Sequence, residues 1–191
     1  MKAASYLDWN EMKRVVSELR QSRSMTQKRI ALLIHMNSHI GLRVSDVRLT
    51  KWSDLVTPDG SVVDFYYVKE IKTGKTRRLT LVDVIKEHIL ELHNACPGME
   101  YVFCNRLDQP LSPRFINQEL TRIKQRNHVK VETFSSHSCR KTFARRVLSK
   151  RSNDPMALSI VQEILNHSSI GTTRRYLGLV RDEIDAVYLS L

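Results

Sequence analysis

Leu165-Asn166-His167-Ser168-Ser169-Ile170-Gly171-Thr172-Thr173-Arg174-Arg175-Tyr176 is the stretch on which the reading of this chain turns. Apolar periodicity predicts a helix over residues 157 to 165, and Asn166 is the residue type, after glycine, best able to end it in a left-handed turn. Two short helices are expected beyond it. Tyr176 follows His167 by nine residues and is preceded by Arg174 and Arg175. A tyrosine hydroxyl can attack phosphorus, but its ordinary pKa near 10 requires neighbouring cations or a base. Most tyrosines only pack, and this chain has six.

Three earlier stretches supply such groups. In Gly41-Leu42-Arg43-Val44-Ser45-Asp46 one helix is expected to end at the glycine and another to start with Ser45 as its cap. Arg43 is then left in the bend, where its fork can meet a phosphate while Asp46 orients it. Ile71-Lys72-Thr73-Gly74-Lys75 reads as a hairpin turn, with Lys72, Lys75, Arg77 and Arg78 competing for any role at its tip. In Ser136-His137-Ser138-Cys139-Arg140-Lys141, His137 and Arg140 stand three apart and share a helical face. Each pattern is weak by itself: an Arg–Asp pair is commonly an ordinary ion pair, a turn lysine is commonly solvated, and H-x-x-R arises by chance.

Around these stretches the sequence predicts a mainly helical unit with a small antiparallel β-sheet, an α+β fold in one domain. Helices are expected over 26–40, 82–94, 113–126 and 135–150, the third with Pro113 in its first turn. Strands are expected over 62–68 and 77–81, and Tyr101-Val102-Phe103 is expected to add a third. Residues 1–25 read as a lead-in. The tail from 180 to 191 reads as a helix with Val180, Ile184, Val187, Tyr188 and Leu191 on one stripe.

Composition narrows the function. The 191 residues are 41% hydrophobic, and 31 Lys and Arg against 20 Asp and Glu give a net charge of +11, which favours a polyanionic partner, usually nucleic acid. Cys96, Cys104 and Cys139 are odd in number, without C-x-x-C spacing or histidines at zinc-ligand intervals, so neither a disulfide framework nor a zinc site is indicated. No signal-peptide core or membrane-length apolar run is present, and a reducing interior is the expected compartment.

In order, G-L-R-x-S-[ED], H-x-x-R and L-x-H-S-S-I-x-T-T-x-x-Y form a joint signal, in matching segments from about residue 26 to 178, that resembles the catalytic domain of the tyrosine recombinase (phage integrase) family. The resemblance implies the DNA breaking-rejoining fold and a site-specific recombinase or integrase acting through a 3′-phosphotyrosine intermediate without metal, ATP or other cofactor. The weighed alternatives are a type IB topoisomerase-like enzyme and a non-catalytic DNA-binding module. By the resemblance, Tyr176 would be the nucleophile and Arg43, Arg140 and His167 would hold the phosphate. His137 would move a proton, Lys72 would be the general acid, and Asp46 would support the arginines.

Lys75, Arg77, Lys141, Arg145, Arg174 and Arg175 are the expected DNA contacts. Expected partners are double-stranded DNA and further copies of the chain, monomeric when free and tetrameric on paired sites, with accessory DNA-bending proteins. The expected location is the cytoplasm, associated with the nucleoid, for a bacterial or phage-encoded protein. The family's N-terminal core-binding domain is expected to be absent from these 191 residues. Asn166 stands where a glycine is usual, Lys141 where a histidine often follows the arginine, and Gly178 where a histidine often follows the tyrosine.

Overall fold

Ile30 to Ile34 are five apolar residues in a row, a run that no single face of a helix can hide. In a computed structural model of the chain, which describes residues 4–190, they lie in the central helix α2 (Met25–Ile40), buried nearly all round. A helix with no solvent face must be surrounded. Helix α1 (Trp9–Arg20) covers it through Met12, Val15, Val16 and Leu19. Helix α4 (Asp83–Asn94) adds Ile85, Ile89 and Leu92. Helices α5 (Pro113–Arg126) and α6 (Ser136–Lys150) complete the surround. The lead-in expected over residues 1–25 is therefore largely helix α1. Its signal was present as an i, i+3, i+4, i+7 spacing behind an Asp8 cap whose carboxylate accepts the Asn10 N–H at 2.8 Å.

Beyond α2, a four-residue helix α3 spans Val44–Val47, and strands β1 (Phe65–Lys69) and β2 (Thr76–Thr80) pair antiparallel with Phe65 opposite Thr80. Among the described residues the sheet has two strands, not three. Tyr101 and Cys104 form only isolated bridges, to Lys51 and Pro110, because the Asp108 carboxylate takes the N–H groups of Glu100 and Tyr101 and Thr50 takes that of Val102. Strand β1 starts at Phe65 because Val62 and Val63 pair back to Val56 and Leu55 across the Pro58–Gly60 turn.

Helices α7 (Ala157–Leu165) and α8 (Ile170–Leu177) pack on α6 around a separate small core of Ala144, Val161, Leu165 and Leu177, against which Tyr176 also rests. Helix α9 (Leu179–Leu189) follows, with Val187, Tyr188 and Leu189 exposed. Of the expected tail stripe, the Ile184 side chain and Leu191 lie outside the described residues. All three cysteines are buried and unpaired. Among the described residues no helix is long and apolar enough to cross a membrane.

One polar pair interrupts the core. His35 on α2 and His88 on α4 meet Nδ1 to Nδ1 at 3.1 Å, so one ring donates, the other accepts, and both are neutral. Burial holds both pKa values down at about 3, helped by the charges of Arg20 on both rings and of His39 and His88 on His35. Unfolded histidine takes its proton near 6.5, so between these values the unfolded chain binds more protons. The stabilisation is full above about pH 6.5 and is lost as pH falls toward the folded values. Urea unfolding at pH 7 and pH 5 should therefore show a loss on the order of 4 kcal/mol, about 2 for each ring, that shrinks in the His35→Leu/His88→Leu double variant; equal losses in the two proteins would refute the assignment.

Candidate active site

Ser135 and Ser138 cap the start of α6 reciprocally, and one turn on, Arg140 enters the protein. Its guanidinium is 2% exposed and donates to the Gly41 carbonyl at 2.6 Å and to the Leu165 carbonyl. Both acceptors close helices, α2 and α7, at the ends where the backbone dipole is negative. Each helix stops in a left-handed residue, Gly41 at φ 63° and Asn166 at φ 51°. Gly41 cannot be larger, since a Cβ there would lie 2.5 Å from Cδ1 of Phe143. Burial lowers the Arg140 pKa to about 10, which still leaves it charged at neutral pH.

The chain turns at Gly41, and Arg43, in extended backbone, caps α3; Ser45 lies inside that helix and is not its cap. Arg43 is held by Glu70, 3.1 Å away, not by Asp46 as the sequence suggested. Asp46 is buried, and its Oδ1 accepts the Ile71 N–H at 3.0 Å, so it fixes the hairpin that carries Lys72. Glu70 is completely buried and also accepts from Thr73, Arg77 and Asn166 at 2.9, 3.0 and 2.9 Å. Burial pushes its carboxyl up, but these hydrogen bonds and the Arg43 charge prevail and hold it down at about 2.

The turn between β1 and β2 closes with the Gly74 N–H on the Glu70 carbonyl at 2.8 Å, Gly74 having φ 69°. Lys72 and Lys75 are exposed at its tip. The Lys72 charge acts on His167, while Lys75 lines a cleft of about 370 Å³ with Arg77, Glu163, Asn166 and His167.

Ser169 caps α8 by accepting the Thr172 N–H at 3.1 Å, and α8 delivers Tyr176 between two imidazoles. Its ring centroid lies 5.1 Å from that of His167 and 6.2 Å from that of His137, with the Lys141 ammonium 5.2 Å away. The tyrosine hydroxyl donates to the His137 carbonyl at 3.4 Å. Burial raises its pKa to about 12, against the lowering charges of Arg140 and Arg43. His167 Nδ1 meets the hydroxyl of buried Thr173 at 3.1 Å. Burial, then Arg140, Arg43 and Lys72, lower the His167 pKa to about 4. Burial, then Arg140, Lys141 and Arg43, also lower that of His137.

Arg43, Lys72, His137, Arg140, His167 and Tyr176, drawn from four stretches up to 133 residues apart in number, are thus brought within reach of one another's charges or rings. The other basic residues divide. Lys141 stands over the tyrosine, Arg174 and Arg175 lie in the last turn of α8, and Arg77 is paired with Glu70. Arg145 is turned inward, donating to the Leu177 carbonyl at 2.7 Å and lying over the Tyr6 ring, so it closes the C-terminal end of α8. Among the described residues no group of three or more His, Cys, Asp or Glu is placed to hold a metal ion.

Sequence reasoning missed Glu70, Thr173 and the Asn166 amide. The signal for Glu70 was the strand alternation itself, which puts residues 66 and 68 inward and carries 70 to the same face.

An NMR titration should find the His167 ring titrating near 4, and Arg43→Gln should move that midpoint upward by removing one repelling charge. A His167 midpoint at the ordinary 6.5 would contradict the crowding of cations described here.

The "Phage integrase family" model matches residues 5–181. The chain is similar to "Probable integrase/recombinase YoeC" of Bacillus subtilis, 28% identical over 91% of this chain and 90% of that protein. It is also similar to "Tyrosine recombinase XerC" of Bradyrhizobium diazoefficiens, 28% identical over 78% of this chain but 46% of that protein, so it spans about half of the latter's length. A crystal structure of the XerH site-specific recombinase bound to a palindromic difH substrate, a post-cleavage complex, shares the fold at TM-score 0.70 and 22% identity, covering 98% of this chain and 53% of that one. With the matched residues spanning both Arg43 and Tyr176, the chain belongs to the phage integrase family of tyrosine recombinases.

Proposed function

We propose that the chain is a site-specific DNA strand transferase that cuts and rejoins double-stranded DNA through Tyr176. The observation that carries this reading is the placement of Tyr176 between His137 and His167 within the fields of Arg43 and Arg140. A hydroxyl with its pKa near 12 is inert in the resting protein. A phosphodiester drawn against Arg43 and Arg140 presents the phosphorus to it, and the charge that builds on the non-bridging oxygens is what two guanidiniums and the His167 N–H stabilise. As the Tyr176 oxygen bonds to phosphorus its proton passes to His137, the 3′-phosphate becomes tyrosine-linked, and the bond to the 5′-oxygen breaks. Lys72 supplies the proton that this leaving oxygen takes up. The reverse attack, by a 5′-hydroxyl on the phosphotyrosine, rejoins a strand without an external energy source.

The names of the similar proteins are those of recombinases and integrases, which supports recombination over DNA relaxation. Assembly of several copies on DNA is supported by α9, which holds Val187, Tyr188 and Leu189 out to solvent as anchors for a second copy. One short helix per contact is weak in free solution and gains from the high local concentration that DNA imposes. The net charge of +11 supports a phosphate-dominated affinity that weakens with salt.

A nicked suicide duplex should give a covalent protein–DNA adduct with the wild-type chain and none with Tyr176→Phe, whose DNA affinity should barely change; an adduct surviving in that variant would overturn the nucleophile. For the general acid, Lys72→Ala should slow cleavage of ordinary DNA about 100-fold or more. It should slow a 5′-bridging phosphorothiolate far less, since sulfur leaves without a proton. If Lys75→Ala shows that contrast and Lys72→Ala does not, the role passes to Lys75.

A further inference from the structure

Glu70 is the one completely buried carboxylate at the site, and the roles above leave it unused. It sits just past β1, yet side chains from three separate stretches converge on it. Its Oε2 takes Arg43 at 3.1 Å, Thr73 at 2.9 Å and Asn166 at 2.9 Å, and its Oε1 takes Arg77 at 3.0 Å. A buried carboxylate with a lone partner is costly; here four donors, three on Oε2 and one on Oε1, surround it.

Each stretch carries a group assigned above. Arg43 is itself the clamp, Lys72 lies between Glu70 and Thr73 in the turn, and His167 directly follows Asn166. Asn166 is informative here. Its φ of 51° is a conformation that glycine adopts at no steric cost, so the amide is not needed for the turn. What the amide adds is a bond to a residue 96 positions away.

We propose that Glu70 is a positioning residue of the strand-transfer reaction, holding the Arg43 guanidinium, the Lys72 turn and the Asn166–His167 turn in one fixed relation before DNA arrives. The proposal rests on the roles given above to Arg43, Lys72 and His167. Its physical content is preorganisation: a displacement near 1 Å of a clamp or acid costs about 100-fold in rate, and the four bonds to Glu70 oppose such displacements in three segments at once. The carboxylate also offsets the repulsion that the Arg43 and Arg77 charges exert on Arg140.

The test is single-turnover cleavage of the nicked suicide duplex, with DNA affinity and thermal unfolding measured on the same full-length variants. Glu70→Gln keeps the shape but removes the charge and two of the acceptor directions. It should cleave about 10- to 100-fold more slowly while DNA affinity is retained. Asn166→Gly, which keeps the left-handed turn and cuts only the amide bond, should cleave about 3- to 10-fold more slowly with unchanged unfolding. This second variant carries the test if Glu70→Gln does not fold.

In an Arg43→Ala background the added loss from Glu70→Gln should become much smaller, because the main route through the guanidinium is already gone. Wild-type cleavage by folded Glu70→Gln or by Asn166→Gly would overturn the proposal, as would losses that simply multiply in the double variant. Undiminished cleavage by Arg43→Ala would remove the clamp reading as well. Loss there with Glu70→Gln intact would sink the positioning role alone.

Discussion

A single guanidinium holds the two halves of the site together. Arg140 crosses from α6 to the Gly41 and Leu165 carbonyls, pinning the C-terminal ends of α2 and α7 side by side. Two of the site residues leave directly from those ends. Arg43 follows two residues after Gly41, and His167 two residues after Leu165. The bonds are available because each helix stops in a left-handed residue, and two electronegative helix ends compensate a cation that would otherwise be expensive to bury. A residue expected to touch phosphate thus also sets the spacing of its neighbours. Removing its charge would disorder the frame as well as weaken the clamp.

The surroundings of Arg140 create a problem of like charge. Arg43 and Arg77 act on Arg140, and Lys72 acts on His167. Burial first, and then these cations, lower the pKa values of His137 and His167, which favours the neutral rings. Glu70 supplies a balancing negative charge, paired with Arg43 and Arg77.

Much of this could be read before the structure. Helices α2, α4, α5, α6 and α7 fall within a residue or so of the periodic stretches, because their apolar spacing, caps and stops agree. The membership of the site was also legible, since G-L-R, H-x-x-R and the His167–Tyr176 stretch are local patterns. What could not be read was which partner each group takes. Asp46 is three residues from Arg43 and Glu70 is 27 away, yet Glu70 holds the arginine, and no local rule ranks a distant acid above a near one. Arg145 looked like surface charge because a sequence does not show which arginine meets a helix end. The missing third strand has the same origin: Asp108 captures the N–H groups a ladder would have used.

The three buried thiols give this molecule built-in reporters of its own opening. Burial raises the Cys139 pKa to about 12 and that of Cys104 to about 11, so neither presents a thiolate to an alkylating reagent while the fold is closed. Cys139 precedes Arg140 in α6, whereas Cys96 and Cys104 lie at the opposite pole around Arg29, whose guanidinium bonds Cys96 Sγ at 3.4 Å. Reagent entry at one pole or the other therefore distinguishes loosening of the catalytic frame from loosening of the distal core, amplitude and rate being set by local rather than global unfolding. The same burial shields the three thiols from oxidants.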